Sequence, residues 1–132
     1  MILAVFGISR SEAEIYDCCA TDADGTLPSL AVRCAQNLGL DATAQRLSDL
    51  AALREIIQSP NPGPIAFVNL APLIGTNVVH AVIIGNIDTA ANSIQVIDPA
   101  YPPDGRRIWS IELFEIAWRL ARFQIIFVMP KQ

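Results

Sequence analysis

The stretch VVHAVIIGNIDTAANSIQVIDP, residues Val78–Pro99, decides how the chain is read. Val78 to Gly85 and Ile94 to Ile97 are apolar, β-branched runs of strand length. GNIDTAANS between them carries the Gly, Asn, Asp and Ser of a hairpin loop. If the hairpin is centred on Thr89, His80 stands directly opposite Asp98 on one face of the sheet, with Cβ atoms about 4.5–5.5 Å apart. A carboxylate in that place accepts from an imidazole N–H and fixes its tautomer and orientation. A one-residue slip would put the two on opposite faces. His80 is the chain's one histidine, so any Ser-His or Cys-His chemistry must use it. The competing readings are a structural histidine in a strand and an Asp98 that starts a turn in DPAYPP.

Outward from the hairpin, Ile65 to Leu70 and Gln124 to Val128 are further strands. Two of the four runs are nearly continuous in apolar residues, which predicts burial on both faces. The N-terminal half is helical. Ser9 with Glu12, or Ser11 with Glu14, forms a capping box for a helix running to about Cys19. Thr26 caps the next helix, with Pro28 in its first turn and Gly39 closing it. Leu27, Leu30, Ala31, Cys34, Ala35 and Leu38 share one face. Asp41 to Leu47 is a polar, exposed strand. Ser48 caps a helix with Leu50, Leu53, Ile56 and Ile57 inward, stopped by Pro60 and Pro62. Ser110 caps a last helix that turns Ile111, Phe114, Ala117, Trp118 and Ala121 inward. Helices early and strands late predict an α+β fold with an antiparallel sheet.

A length of 132 residues sets the expectation of one domain, 1–132. Hydrophobic residues reach 52% and charged residues only 17%, so apolar surface in excess of the ordinary domain must enter a core or a partner. No apolar run approaches the roughly 20 residues of a membrane span. A net charge of −4 with scattered cations excludes a phosphate-neutralising stripe, hence no nucleic acid. No residue set reads as a metal or cofactor site. One histidine and dispersed carboxylates make no metal cluster, and Gly25-Thr26-Leu27-Pro28 lacks the lysine and glycine spacing of a phosphate loop. Trp109, Trp118 and Phe123 read as packing residues, and Glu112 and Glu115 as first-turn acids that favour the helix dipole.

Three cysteines, Cys18, Cys19 and Cys34, form neither a disulfide framework nor a zinc pattern, which predicts reduced thiols and a cytoplasmic setting. Cys34 reads as a small buried hydrophobe. Cys18 and Cys19 close a helix, where the dipole opposes a thiolate, so both are poor nucleophiles. Ser29 and Ser110 are explained as a first-turn residue and a cap.

The segments GISRSEAEIYDCCATDADGTLPSLAVRCAQNLGL, SDLAALREIIQSPNPGPIAFVNL, VVHAVIIGNID and IQVIDPAYP, followed by SIELFEIAW and FQIIFVMP, stand in an order that resembles the C39-like branch of the papain-like cysteine peptidases. The resemblance covers about residues 1–129. It implies a papain-like fold, with His80 and Asp98 at the positions of the family's histidine and aspartate. The family's nucleophilic cysteine opens a central helix, after a glutamine of the oxyanion hole. No residue here matches either. That helix would lie upstream of about Met1, with MILAVFGI as its trailing turns, so the domain is expected to be truncated at its N-terminal central helix.

Without a nucleophile, a His–Asp pair gives only residual catalysis. The resemblance therefore implies a non-catalytic, bacterial-type pseudopeptidase that binds a peptide or protein. The alternatives are a truncated cysteine peptidase, with His80 as base and Asp98 orienting it, and a scaffold that makes no use of the peptidase groove. The apolar Met1–Phe6 segment is expected to pair with a second copy or a partner.

Overall fold

The computed structural model describes residues 7–22, 26–57, 63–98 and 105–130. Its backbone divides into two compact units, Met1–Ala44 with Ile126–Gln132, and Gln45–Ile125.

In the first unit, helix α1 spans Glu12–Cys18. Of the two candidate boxes, Ser11 and Glu14 form it: Ser11 Oγ accepts from Glu14 N, and Ser11 N donates to Glu14 Oε1, each at 3.1 Å. The hydrogen bonds from Ser11 hold the Glu14 carboxyl below its ordinary pKa. Helix α2 spans Pro28–Asn37, with Pro28 at its start, where a missing N–H costs nothing. Its N-cap is Leu27, which makes no side-chain cap bond. Thr26, expected as the cap, instead shares a 2.6 Å hydrogen bond with Thr21. Gly39 closes the helix in the left-handed region, φ 89°. Strand β1, Leu40–Arg46, buries Leu40 and Ala42 and exposes the rest apart from its ends, as the polar sequence implies.

The cysteines depart from expectation. Cys18 and Cys34 form a disulfide between α1 and α2, with Cα atoms 5.4 Å apart. Sequence spacing could not show this, because two helices joined by a loop bring residues 16 apart into register. Cys19 is the free thiol, and it is buried. The reading of all three as reduced thiols is thereby corrected, and the expectation of a cytoplasmic setting loses the ground on which it stood.

The second unit opens with helix α3, Leu50–Ile57, where Asp49 rather than Ser48 supplies the cap: Asp49 Oδ1 accepts from Ala52 N at 3.0 Å. Pro60 and Pro62, expected to stop it, lie outside the described residues. Strands β2 (Ile65–Asn69), β3 (Val79–Asp88), β4 (Ser93–Ile97) and β5 (Arg106–Ser110) follow, with the short helix α4, Ala71–Ile74, after β2. Helix α5, Ile111–Leu120, is capped by Ser110 Oγ, which accepts from Leu113 N. Strand β6 is Gln124–Pro130. The strand order is β1-β6-β2-β3-β4-β5. The pairs β2–β3, β3–β4 and β4–β5 are antiparallel.

The core of this unit lies on one face of the sheet. Ala66 and Val68 of β2, Val82 and Ile84 of β3, and Ile94 and Val96 of β4 turn toward Leu53 of α3 and Phe114, Ala117 and Trp118 of α5. The strands alternate, and Val79 and Ala81 are exposed on the other side. The expected burial on both faces is therefore corrected: the helices α3 and α5 share the core with one face only. Trp118 anchors the turn into β6. Its Nε1 donates to Gln124 O at 3.2 Å, and its ring meets Phe114 and Phe123 at centroid distances of 5.7 and 4.9 Å.

Candidate functional site

The site is built on β3 and β4. Near the turn, Asp88 pairs with Ser93 and Ile87 with Ile94, leaving four loop residues, shorter than the loop expected from GNIDTAANS. Asp88 Oδ1 accepts from Ala91 N, and Asn92 takes φ 52°, the left-handed conformation Asn tolerates. Farther from the turn the pairs are Ile84 with Val96 and Ile83 with Ile97. The register has shifted by one residue between Ile84 and Asn86, and Gly85 is the extra residue of a bulge.

That bulge decides the site. Continued past Ile97, the register places Asp98 level with Val82, so His80 is its diagonal neighbour on the same face. The centring on Thr89, which set the two directly opposite, is corrected accordingly: the expected register omitted the bulge and closed the turn in the wrong place. The diagonal is still within reach of an imidazole. His80 Nε2 lies 2.8 Å from Asp98 Oδ1.

Each partner is held by its own strand. His80 pairs with Val68 of β2, which fixes the backbone on one side. Its side chain is 31% exposed, whereas that of Asp98 is 2% exposed. Asp98 N donates to Gly105 O at 2.7 Å. Gly105 has φ 77°, and a Cβ there would lie 2.6 Å from Asp98 O, so only glycine fits beside this carboxylate's backbone.

The chemistry follows from the geometry. An ionised carboxylate only accepts, so Nε2–H donates to Asp98 and the imidazole is held as one neutral tautomer. Nδ1 then carries the lone pair and can take a proton from a group brought to it. A buried carboxylate stabilises the imidazolium that results.

The other sequence candidates do not join this pair. Cys18 and Cys34 are consumed by their disulfide. Cys19 is 8% exposed, and burial pushes its thiol above the ordinary value of 9.0. Ser110 is a cap, and Trp118 and Phe123 pack together. Ser29 lies in the first turn of α2. Gly25 and the Met1–Phe6 segment lie outside the described residues. Among the described residues no group of His, Cys, Asp and Glu side chains could hold a metal ion. Two positioning residues escaped the sequence reading, Gly85 and Gly105. A glycine inside an apolar strand was the available signal for the first. The second gave none, since its role appears only when β5 lies beside Asp98.

Comparisons with known proteins agree with this architecture. The Peptidase C39 family model matches residues 1–132. No curated protein matches the chain. Among solved structures, the fold is similar to the peptidase domain of Streptococcus ComA, a bifunctional ABC transporter involved in quorum sensing. The TM-score is 0.76 at 22% identity, covering 98% of this chain and 85% of that one. It is also similar to a double glycine motif protease from an AMS/PCAT transporter, in complex with its leader peptide. There the TM-score is 0.73 at 18% identity, covering 99% and 79%. The peptidase domain of Streptococcus mutans ComA matches with a TM-score of 0.62 at 20% identity, covering 89% and 86%.

Proposed function

Because the chain belongs to the peptidase C39 family, we propose that it is a peptide-binding domain which, as these 132 residues, does not cleave what it binds. The observation that carries the reading is the contrast between its groups. The His80–Asp98 pair is formed at 2.8 Å, while two of the three thiols are bonded to each other and the third is buried. A peptidase of this chemistry needs a thiolate against the imidazole. The leader peptide bound by the double glycine motif protease suggests the ligand class, an extended peptide with a Gly-Gly step. The disulfide favours a compartment in which such bonds persist. No helix among the described residues is long and apolar enough to cross a membrane.

A second reading is favoured by the burial of Asp98. A surface that only binds has no use for a buried carboxylate orienting an imidazole. With a cysteine thiol presented to Nδ1, His80 takes the thiol proton, the thiolate attacks the peptide carbonyl, and the same proton goes to the leaving amine. The remaining alternative, a scaffold independent of the groove, would bind no such peptide.

The test is a titration of the isotope-labelled chain with a synthetic peptide ending in Gly-Gly, followed by incubation with a longer peptide that continues past that step. Shifts in the His80 and Asp98 signals without cleavage are the expected result. Absence of shifts with every such peptide sinks the binding proposal and leaves the scaffold. Cleavage that His80→Ala abolishes replaces it with the second reading.

A further inference from the structure

Helix α5 has two dissimilar faces. Phe114, Ala117 and Trp118 are fully buried against the sheet, which accounts for one side. The other side carries Leu113, Ile116 and Leu120, exposed by 41, 42 and 56%. Their spacing of three and four residues stacks them into one stripe along the helix. An apolar stripe repeated at helical spacing differs from singly scattered surface residues, which need no explanation. Ile74, 58% exposed, belongs to α4, which packs against α5 and extends the apolar character of this side.

The charges on α5 indicate what covers the stripe. Glu112 and Arg119 are both exposed. They are seven residues apart, so they stand on the same flank of the stripe, one at each end. Among the described residues neither makes an ion pair. A two-fold axis perpendicular to α5 and passing near Ile116 would lay a second copy of the helix antiparallel on the first. Leu113 then meets the partner's Leu120, Ile116 meets its own equivalent, and the flanks remain on the same side. Glu112 of each copy falls beside the partner's Arg119. A two-fold interface must be self-complementary in both shape and charge, and this helix satisfies both with one placement.

We propose that the outward face of α5 is a homodimer surface, made by Leu113, Ile116 and Leu120 and framed by two reciprocal Glu112–Arg119 pairs. The interface is small, so association is weak, with a dissociation constant of roughly 0.1 mM. It uses none of the residues of the His80–Asp98 site and stands whether or not the peptide reading does.

Sedimentation velocity of the full chain up to roughly millimolar concentration tests it. The expected result is a monomer–dimer equilibrium that weakens with added salt. Ile116→Glu sets two like charges at the two-fold axis and leaves a monomer. Glu112→Arg and Arg119→Glu each weaken association about tenfold, by removing two pairs and creating two repulsions. The double variant Glu112→Arg/Arg119→Glu restores it. Because these side chains are exposed, circular dichroism of each variant matches the parent. A chain that is monomeric at every concentration overturns the proposal. So does a dimer that persists in Ile116→Glu and is indifferent to the charge reversals, since it would then form through another surface.

Discussion

His80 and Asp98 share one face of the sheet because Gly85 is an extra residue in β3. With the pairing set at the turn, where Asp88 opposes Ser93, an uninterrupted ladder would bring Asp98 level with Ile83. His80 and Asp98 would then point to opposite sides. The bulge restores the parity, and it does the same for the core, since Ile84 lies opposite Val96 and Ile87 opposite Ile94, all facing inward or packed on the core. Deleting Gly85 is therefore expected to destabilise the chain and break the 2.8 Å contact together. Gly85→Ala is expected to cost less than about 1 kcal/mol, because a Cβ there meets only the flexible end of Gln95 at 3.2 Å. Thermal melts of both variants check this. A deletion variant that melts like the parent and keeps the contact would refute it.

The tautomer of His80 gives a second prediction. Donation from Nε2–H to Asp98 leaves Nδ1 as the unprotonated nitrogen of the neutral ring. Asp98→Ala removes the acceptor and lets the neutral ring sample both tautomers. Nitrogen chemical shifts of the ring separate these states, and the chain's one histidine makes the assignment unambiguous. The parent at a pH where the ring is neutral is expected to show the Nε2–H form alone. An unchanged spectrum in Asp98→Ala would mean that the carboxylate does not orient the ring.

How much of this was legible in the sequence depended on the range of the signal. Ser110 as a cap, Gly39 as a helix terminator and the inward face of α5 are local patterns, and each is found where the residues place it. The antiparallel sheet followed from the strand-like runs. Strand β5 was missed because RRIWS opens on two arginines and becomes a strand only by pairing with β4. The Cys18–Cys34 bond depends on how α1 meets α2, which spacing does not encode. The His80–Asp98 pair was anticipated on the right face through the wrong register, since Gly85 was counted as an ordinary strand residue.

The disulfide carries a stability prediction. Helix α1 buries none of its seven residues, so little apolar packing holds it in place. Closing a loop of 16 residues restricts the unfolded chain by about 3 kcal/mol in the loop-entropy account. Cys34→Ser is expected to lower the denaturation midpoint of the oxidised protein accordingly, with α1 losing protection from hydrogen exchange first. The intact mass of the non-reduced parent should be lower by two hydrogens than that of the reduced chain. Equal masses, or equal midpoints for parent and variant, would count against the bond.

Cys19 supplies the last prediction, and it bears on catalysis directly. Burial alone raises its thiol above 9.0, since no cation or helix N-terminus compensates the lost hydration of a thiolate. At neutral pH the thiolate fraction is then smaller than for a free cysteine, and access is restricted as well. Alkylation by iodoacetamide is expected to be slower than for free cysteine, with its pH–rate profile displaced upward and insensitive to His80→Ala. The sign for stability follows from the same shift. A folded-state value above the unfolded one stabilises the native chain below pH 9.0, and this contribution is lost as pH rises through the folded value. Unfolding midpoints at increasing alkaline pH should therefore fall more steeply in the parent than in Cys19→Ala. Rapid alkylation at neutral pH that depends on His80 would instead identify Cys19 as an activated nucleophile and remove the ground for a non-cleaving domain.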